Sequence, residues 1–220
     1  MPIWEASTNW NYFANGEDWP TRFEDCKTDK QSPIDLGGFH HKESVARPIS
    51  YFWEDLYLDN EYMANDPSQT VMFPWRPYDE YPKPYTRFFG PNTDIQQNIN
   101  FLIQDMSFHA PSEHTISKEH SALEIQFKHK AVKGNQVGIF AVMFDPVLGS
   151  AEENIFIREF IAASEAKVNQ EPDLPIDMGG FIERIDMKEV WNYMGSFTTP
   201  PCQANVNWAI IRQVQNISPE

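Results

Sequence analysis

The stretch that decides the fold reads Asp105-Met106-Ser107-Phe108-His109-Ala110-Pro111-Ser112-Glu113-His114-Thr115. From Asp105 to His109 polar and apolar residues alternate, which is the period of a half-buried β-strand. Asp105, Ser107 and His109 therefore share one face of the predicted strand. The segment predicts a strand that carries a row of polar side chains on one side.

A second run with the same alternation follows shortly after, and it reads Leu123-Glu124-Ile125-Gln126-Phe127-Lys128-His129. Its polar side chains, those of Glu124, Gln126 and Lys128, also share one face. If the two strands lie side by side, they gather Ser107, His109 and Gln126 around one point. The two runs together predict a polar cluster on the face of a sheet.

The first run resembles the signature of the α-type carbonic anhydrases, His-x-His-x-x-Ser-Glu-His-Thr, in its residues 107–115. Members of that family bind zinc through the two His of this strand and a third His on the neighbouring strand. Matched residue by residue, the three ligand positions are Ser107, His109 and Gln126 here. The resemblance therefore implies the fold of the family. Of the family's three zinc ligands, this sequence keeps one, His109.

This departure decides the predicted chemistry. A catalytic zinc needs about three protein ligands, usually imidazole, thiolate or carboxylate, and an open position for water. The hydroxyl of Ser107 and the amide of Gln126 are neutral, weakly basic donors that suit Zn²⁺ poorly. Without the metal, no hydroxide nucleophile forms at neutral pH. We therefore expect no zinc, no other cofactor and no catalysis from an inactive carbonic anhydrase homologue.

Two further blocks carry the resemblance. Residues 31–36 read Gln-Ser-Pro-Ile-Asp-Leu, as in the family, and residues 195–202 read Gly-Ser-Phe-Thr-Thr-Pro-Pro-Cys, close to its Gly-Ser-Leu-Thr-Thr-Pro-Pro-Cys. The resemblance implies a single carbonic anhydrase-like domain over residues 1–220, mainly β, with a large twisted, mostly antiparallel sheet and short peripheral helices. The family's final segment has no counterpart after Glu220. We expect that part of the fold to be missing here or supplied by another chain.

At four further positions, the family resemblance implies a role for the residue or a departure from the family. Glu113 and Thr198 match a pair in which the carboxylate fixes the Thr hydroxyl, and Glu124 matches a carboxylate that orients a zinc-bound His ring. With the metal gone, we expect both carboxylates to have structural roles. Lys128 stands where Val is usual, and a buried ammonium needs a partner. We predict that Lys128 pairs with Glu113, Glu124 or Asp105 and replaces the positive charge of the metal.

The remaining segments are interpreted from their composition. The composition of residues 1–30 predicts an irregular segment that is anchored by aromatic residues. The insert over residues 74–92 is rich in Pro and Tyr, which predicts a surface loop without a helix or a central strand. Alternatively, the insert is a loop that contacts a partner or covers the vestigial cavity of the family's active site. Residues 136–144 predict a buried strand, and Ser150–Glu153 predicts the start of an amphipathic helix. Residues 166–180 predict a loop.

The chain has two cysteines, Cys26 and Cys202, and their spacing alone leaves both free thiols and a disulfide open. The resemblance implies a disulfide, since many secreted α-type carbonic anhydrases pair cysteines at these two places. A disulfide favours an oxidising compartment, which means secretion, the cell exterior or an organelle lumen.

The composition limits the partners. The chain has 17 Lys and Arg against 32 Asp and Glu, a formal net charge of −15. Nucleic acids and anionic lipids need clustered Lys and Arg, so neither is expected as a partner. An apolar run of about 18 residues, the length of a membrane-spanning helix, is absent from the sequence. We therefore predict no membrane insertion by this chain, and other protein subunits or a surface protein as partners.

The resemblance and the lost ligands together favour a non-catalytic, carbonic anhydrase-like domain that acts as a protein-binding or structural subunit of a larger assembly. The alternative is an enzyme, either a zinc carbonic anhydrase or a weak esterase with a rearranged metal site. Such a site would use Asp105 and His109, with Glu124 nearby.

Overall fold

A computed structural model describes residues 10–37, 50–52, 56–57, 64–65, 70–74, 85–87, 100–146, 154–169 and 174–218. Within these ranges the strands, numbered β1 to β14 in chain order, are Ser50–Phe52, Leu56–Tyr57, Ala64–Asn65, Thr70–Pro74, Tyr85–Arg87, Phe101–His109, Thr115–Ile116, Glu119–His120, Leu123–Ala131, Val137–Pro146, Pro175–Ile176, Val190–Ser196, Ala204–Ile211 and Gln215–Ile217. The helices are α1 (Trp19–Arg22), a 3-10 turn (Glu24–Lys27), α2 (Ile155–Val168) and α3 (Met178–Glu183).

The main sheet contains ten strands in the described part of the chain, with the central order β1-β5-β6-β9-β10-β13-β12. Strand β4 also pairs with β6, and β14 pairs with the end of β10. Among the described pairings of this sheet, β10 runs parallel to β13 and to β14, and the others are antiparallel. This architecture confirms the predicted class, mainly β with a large, mostly antiparallel sheet and short helices.

The register of β6 and β9 sets the geometry of the polar cluster. Ser107 lies opposite Gln126, and the neighbouring pairs along the two strands are His109 with Glu124 and Asp105 with Lys128. Side chains of paired residues on one face of antiparallel strands lie about 5 Å apart at Cβ. The two polar rows that the alternation predicts are therefore brought side by side in this register.

Apolar side chains cover both faces of the sheet. On one face, Phe127 and Phe140 pack beneath α2 and α3, whose Phe156 and Phe181 rings stack at a centroid distance of 4.2 Å. Burying each such side chain stabilises the fold by about 2 kcal/mol. The opposite face, which also carries the polar rows, is packed around Trp208 and its buried neighbours Leu36, Ile139, Ala141, Met143, Trp191, Tyr193, Val206 and Ile210.

The amino-terminal segment is more regular than predicted. The irregular structure expected for residues 1–30 is wrong at residues 19–27, where α1 and the 3-10 turn form; residues 1–9 lie outside the described part. Pro20 stands in the first turn of α1, where its fixed φ suits a helix and no amide hydrogen is needed. The buried Trp19 ring packs edge-on against Trp10 and Tyr12.

The insert over residues 74–92 is not entirely a loop. Strand β5 lies within it and pairs with β1 and β6, so the prediction of a loop without central strand is wrong at residues 85–87. These residues contain no proline and combine an aromatic with a β-branched residue, which favours a strand locally. Residues 75–84 and 88–92 lie outside the described residues, so the role of the insert stays a prediction.

The helical region after β10 begins and ends differently from the prediction. Helix α2 begins at Ile155, whose preceding residue Asn154 accepts a hydrogen bond from the Ile157 amide at 3.4 Å. The proposed capping segment 150–153 lies outside the described residues. The loop predicted for residues 166–180 is wrong in three places: α2 continues to residue 168, β11 covers Pro175–Ile176, and α3 begins at Met178. Asp177 caps α3 by accepting from the Gly180 amide at 2.7 Å.

Two further predictions concern the chain as a whole. A disulfide joins Cys26 to Cys202, which confirms the pairing implied by the resemblance. In the described ranges, no helix combines the length and the apolar character that crossing a membrane requires.

Candidate functional site

The polar cluster forms where the sequence predicts it, on β6 and β9. His109 Nε2 lies 3.1 Å from Ser107 Oγ, within hydrogen-bond distance. Gln126 lies directly across from Ser107 on β9. Ser107 and Gln126 have no exposed surface, and His109 is 6% exposed. The structure thus brings together the three positions that match the zinc ligands, in a buried site.

The amide of Gln126 is held by two carboxylates. Its Nε2 donates to Glu113 Oε2 at 2.8 Å and to Glu124 Oε1 at 3.0 Å. Two acceptors on one side fix the orientation of the amide, because only its nitrogen can donate. Its oxygen, Oε1, is buried and has no hydrogen-bond partner in the described part of the chain. A buried acceptor without a partner is costly, by about 1–3 kcal/mol.

Glu113 faces the cluster through both oxygens. Its Oε1 lies 3.5 Å from His109 Nδ1 and accepts from the Tyr12 hydroxyl at 3.4 Å. Thr198 is buried, but within the described residues no hydrogen bond joins its hydroxyl to Glu113. The pair of Glu113 and Thr198 that the resemblance implies is therefore not formed. The Gln126 amide occupies the second oxygen of Glu113 instead.

Both carboxylate oxygens of Glu124 are engaged by the turn after β6. Its Oε2 accepts from the backbone amides of Glu113 and His114, each at 2.9 Å, and its Oε1 lies 2.8 Å from His114 Nδ1. Burial on its own would raise the pKa of Glu124. The charge and hydrogen bonds of His114, with the charge of His109, outweigh burial and lower the pKa from 4.5 to about 2. Glu124 therefore stays ionised and fixes the turn after β6.

A buried hydrogen-bond chain continues beyond Glu124 and was not predicted. His114 Nε2 lies 2.7 Å from the Tyr193 hydroxyl, which in turn lies 2.7 Å from Ser32 Oγ. The Ser32 amide donates to Ser196 Oγ at 2.9 Å. Burial raises the pKa of Tyr193, so its hydroxyl keeps its proton. His114 and Ser32 both lie in the blocks that carry the resemblance, and that was the signal available in the sequence.

Lys128 pairs with one of the three carboxylates named in the prediction. Its Nζ lies 3.5 Å from Asp105 Oδ1, a long ion pair without a well-formed hydrogen bond. Burial raises the pKa of Asp105, and the nearby ammonium opposes that rise. The pairing is confirmed. It also occupies Asp105, one of the residues that a rearranged metal site would need.

The comparison with known proteins gives the family. The model of the eukaryotic-type carbonic anhydrase family matches residues 14–220. The chain belongs to the eukaryotic-type carbonic anhydrase family. The similarity extends across nearly all of the sequence and includes the polar cluster of β6 and β9.

The relatives of this carbonic anhydrase-family chain differ in the share of their length that this chain covers. Dioscorin DB3S of Dioscorea polystachya is 29% identical over 126 residues, which are 55% of this chain and 44% of the dioscorin. The chain thus spans less than half the length of the dioscorins that it matches. A carbonic anhydrase of Klebsiella pneumoniae is 26% identical over 230 residues, 99% of this chain and 82% of that protein.

Solved structures show the same fold. The α-carbonic anhydrase of Thermovibrio ammonificans in complex with sulfanilamide gives a TM-score of 0.71 at 21% identity, covering 97% of this chain and 88% of the other. Dioscorin complexed with ascorbate gives a TM-score of 0.69 at 20% identity, covering 92% and 79%. At this level of identity the likeness establishes the fold alone.

Zinc, the metal that the family resemblance implies, does not fit the residues present. The three positions offer one imidazole, one hydroxyl and one amide, whereas zinc prefers imidazole, thiolate or carboxylate. The hydroxyl of Ser107 and the ring of His109 lie within hydrogen-bond distance of each other, and the Gln126 amide is held by carboxylates. Among the described residues, no group of three His, Cys, Asp or Glu side chains is placed to hold a metal.

Proposed function

We propose that this chain is a carbonic anhydrase-family domain that does not hydrate carbon dioxide and that serves as a protein-binding or structural subunit. The observation that carries the proposal is the contact of 3.1 Å between His109 Nε2 and Ser107 Oγ at two of the three ligand positions. The nitrogen that would bind the metal faces a hydroxyl there. Gln126, at the third position, is engaged with Glu113 and Glu124.

The missing metal ligands have a direct chemical consequence. Zinc lowers the pKa of a bound water to about 7, which supplies hydroxide at neutral pH. That chemistry depends on about three strong protein ligands. The site offers one imidazole, one hydroxyl and one amide. The lack of a hydrogen bond between Glu113 and Thr198 in the described residues supports the same conclusion. The pair that positions the hydroxide in the family is not assembled.

The choice of partner follows from charge and covalent structure. The net charge of −15 disfavours nucleic acids and anionic lipids, so we propose a protein partner. The disulfide of Cys26 and Cys202 supports an oxidising compartment for the encounter.

The catalytic part of the proposal is tested on the purified chain after incubation with zinc and removal of excess metal. Zinc content and the rate of carbon dioxide hydration are measured together, with the Klebsiella pneumoniae carbonic anhydrase as the positive control. We expect substoichiometric zinc and hydration at the uncatalysed rate. One zinc per chain together with zinc-dependent hydration would favour the zinc enzyme and overturn the proposal.

The binding part is tested separately, by capture from the native source with the disulfide-intact chain as bait. A chain of unrelated fold and equal net charge serves as control. We expect a protein that is retained by this chain and not by the control. If both baits retain the same proteins, acidic charge alone explains the binding and the proposed module is rejected.

A further inference from the structure

We propose that the turn of Asn15 and Gly16 is a site of spontaneous deamidation, at which Asn15 is converted to aspartate and isoaspartate. The reaction needs no enzyme and no metal, so it goes beyond the proposed function and can fail independently of it. Isoaspartate carries a carboxylate, and its backbone is longer by the methylene carbon of the side chain. The modification therefore changes both the charge and the path of the amino-terminal segment.

Asn15 and Gly16 stand at the centre of a tight turn. The Glu17 amide donates to the Ala14 carbonyl at 2.9 Å, and Asn15 and Gly16 have φ angles of 50° and 81°. Two positive φ angles in succession are typical of a type I′ turn, for which Asn followed by Gly is a preferred sequence. This is the only Asn-Gly step in the chain. The turn thus places a residue without Cβ directly after an asparagine.

Both reacting groups of the turn are available. Asn15 is exposed and Gly16 is half-buried. Within the described residues, neither the side-chain amide of Asn15 nor the backbone amide of Gly16 makes a hydrogen bond. Because Gly16 carries no Cβ, its nitrogen can approach the side-chain carbonyl carbon of Asn15 closely. The attack therefore breaks no hydrogen bond of either group.

Asn135 is the matched case elsewhere in the chain. It is exposed in the hairpin between β9 and β10, next to Gly134 with its φ of 86°. The residue after it, however, is Gln136, whose side chain crowds the attacking nitrogen. The two asparagines share an exposed turn and differ in the residue that follows them. We therefore expect reaction at Asn15 and not at Asn135.

The reaction consumes water and releases ammonia. The Gly16 nitrogen attacks the side-chain carbonyl carbon of Asn15 and closes a five-membered succinimide ring. The bond from that carbon to the side-chain nitrogen breaks, and ammonia leaves with the proton of the Gly16 amide. Water then opens the ring. Attack at the side-chain carbonyl gives aspartate, and attack at the backbone carbonyl gives isoaspartate.

The turn packs on an aromatic cluster that a longer backbone disturbs. A Cβ at Gly16 would stand 3.2 Å from the Trp19 ring, so the backbone lies close against that ring. Trp19 is 8% exposed and packs edge-on against Trp10 and Tyr12 at centroid distances of 5.4 and 5.0 Å. The Tyr12 hydroxyl in turn donates to Glu113 at 3.4 Å. Isoaspartate in the turn therefore loosens Trp19 and weakens the contact of this segment with Glu113.

The chemical step is tested by incubating the whole chain at mildly alkaline pH, followed by peptide mapping and enzymatic methylation of isoaspartate. We expect isoaspartate at Asn15 and an unmodified Asn135. N15Q keeps an amide but requires a larger ring for the same attack, so it should stay intact. An Asn15 that stays intact, or deamidation of Asn135 at an equal or higher rate, would overturn the inference.

The structural consequence is tested with N15D as the matched control. N15D carries the added charge on a backbone of ordinary length, so it separates the effect of charge from that of the backbone path. The tryptophan emission should shift to longer wavelength in proportion to the isoaspartate content, while N15D should match the parent chain. An unchanged emission of the isoaspartate form, or an equal shift in N15D, would overturn the coupling to Trp19.

Discussion

The Gln126 side-chain amide donates to Glu113 Oε2 at 2.8 Å, across the gap between β9 and the turn after β6. This bond joins a position that matches a zinc ligand to a carboxylate that the family resemblance assigns to Thr198. A single hydrogen bond thus involves two parts of the site: it takes one oxygen of Glu113, and it fixes at the third ligand position an amide, which has no basic nitrogen for a metal.

Restoring the imidazoles should restore metal binding. In the double variant S107H/Q126H, three imidazoles converge on one point, and the new ring at 126 can donate to Glu124, as the Gln126 amide now does at 3.0 Å. We expect one tightly bound zinc per chain, measured by titration and metal analysis. The single variant S107H, with two imidazoles, is the matched control and should bind zinc far more weakly. Equal zinc binding by the double variant and the parent chain would contradict this account of the site.

Glu124 should be a major contributor to stability. Its pKa of about 2, below the ordinary 4.5, means that it stabilises the fold above pH 4.5 and loses that contribution as the pH falls through about 2. We expect E124Q to lower the free energy of unfolding by about 3 kcal/mol at pH 7. Urea denaturation measures this. E189Q, which breaks the exposed pair with Arg212, should cost under about 1 kcal/mol. Equal losses in the two variants would refute the role of Glu124.

His129 should make the fold sensitive to mild acid. Its ring is buried, and burial lowers the pKa from 6.5 to about 3 although the carbonyls of Phe127 and Gly138 oppose the shift. The unfolded chain therefore binds a proton below pH 6.5 that the folded chain does not. The free energy of unfolding should fall by up to about 1.4 kcal/mol per pH unit as the pH drops from 6.5 towards 5.

The variant H129N tests this pH dependence against the parent chain. Denaturation at several pH values should give a flatter profile for H129N over this range, whereas H120N, altered at an exposed ring, should follow the parent. Parallel profiles for H129N and the parent would show that another group is responsible.

The disulfide should stabilise the fold substantially. Cys26 and Cys202 are 176 positions apart, and closing so long a loop is worth about 5 kcal/mol in the chain-entropy model, with measured effects of about 2–5 kcal/mol. We expect C26S/C202S to lower the free energy of unfolding by about 2–5 kcal/mol, which is measured as a lower urea midpoint. The reduced parent chain is the control and should match the double variant. A midpoint unchanged by both treatments would rule out this contribution.

Much of the site could be predicted from the sequence because strand periodicity is local. Alternation placed Ser107 and His109 on one face and Gln126 on its neighbour, and the observed register puts Ser107 opposite Gln126. The need of Lys128 for a carboxylate partner followed from the cost of burying an ammonium alone, whereas the choice of Asp105 among three candidates is set by the register of β6 and β9.

The rest depended on distant contacts that no local pattern encodes. The bond between Ser32 and Tyr193 joins residues 161 positions apart. Strand β5 was missed because the prolines around it dominate the composition of the insert, while its pairing with β1 and β6 is decided by the sheet. Glu113 accepts from the Gln126 amide and the Tyr12 hydroxyl, and these partners depend on side-chain conformations that strand periodicity does not set.

The most direct test of the central claim is anomalous diffraction at the zinc absorption edge from crystals soaked in zinc. The account predicts no anomalous peak at the zinc–nitrogen distance of about 2.1 Å from His109 Nε2, with the Ser107 hydroxyl remaining within hydrogen-bond distance of that nitrogen. A strong peak at that distance, with the ring of His109 turned towards it and away from Ser107, would contradict it.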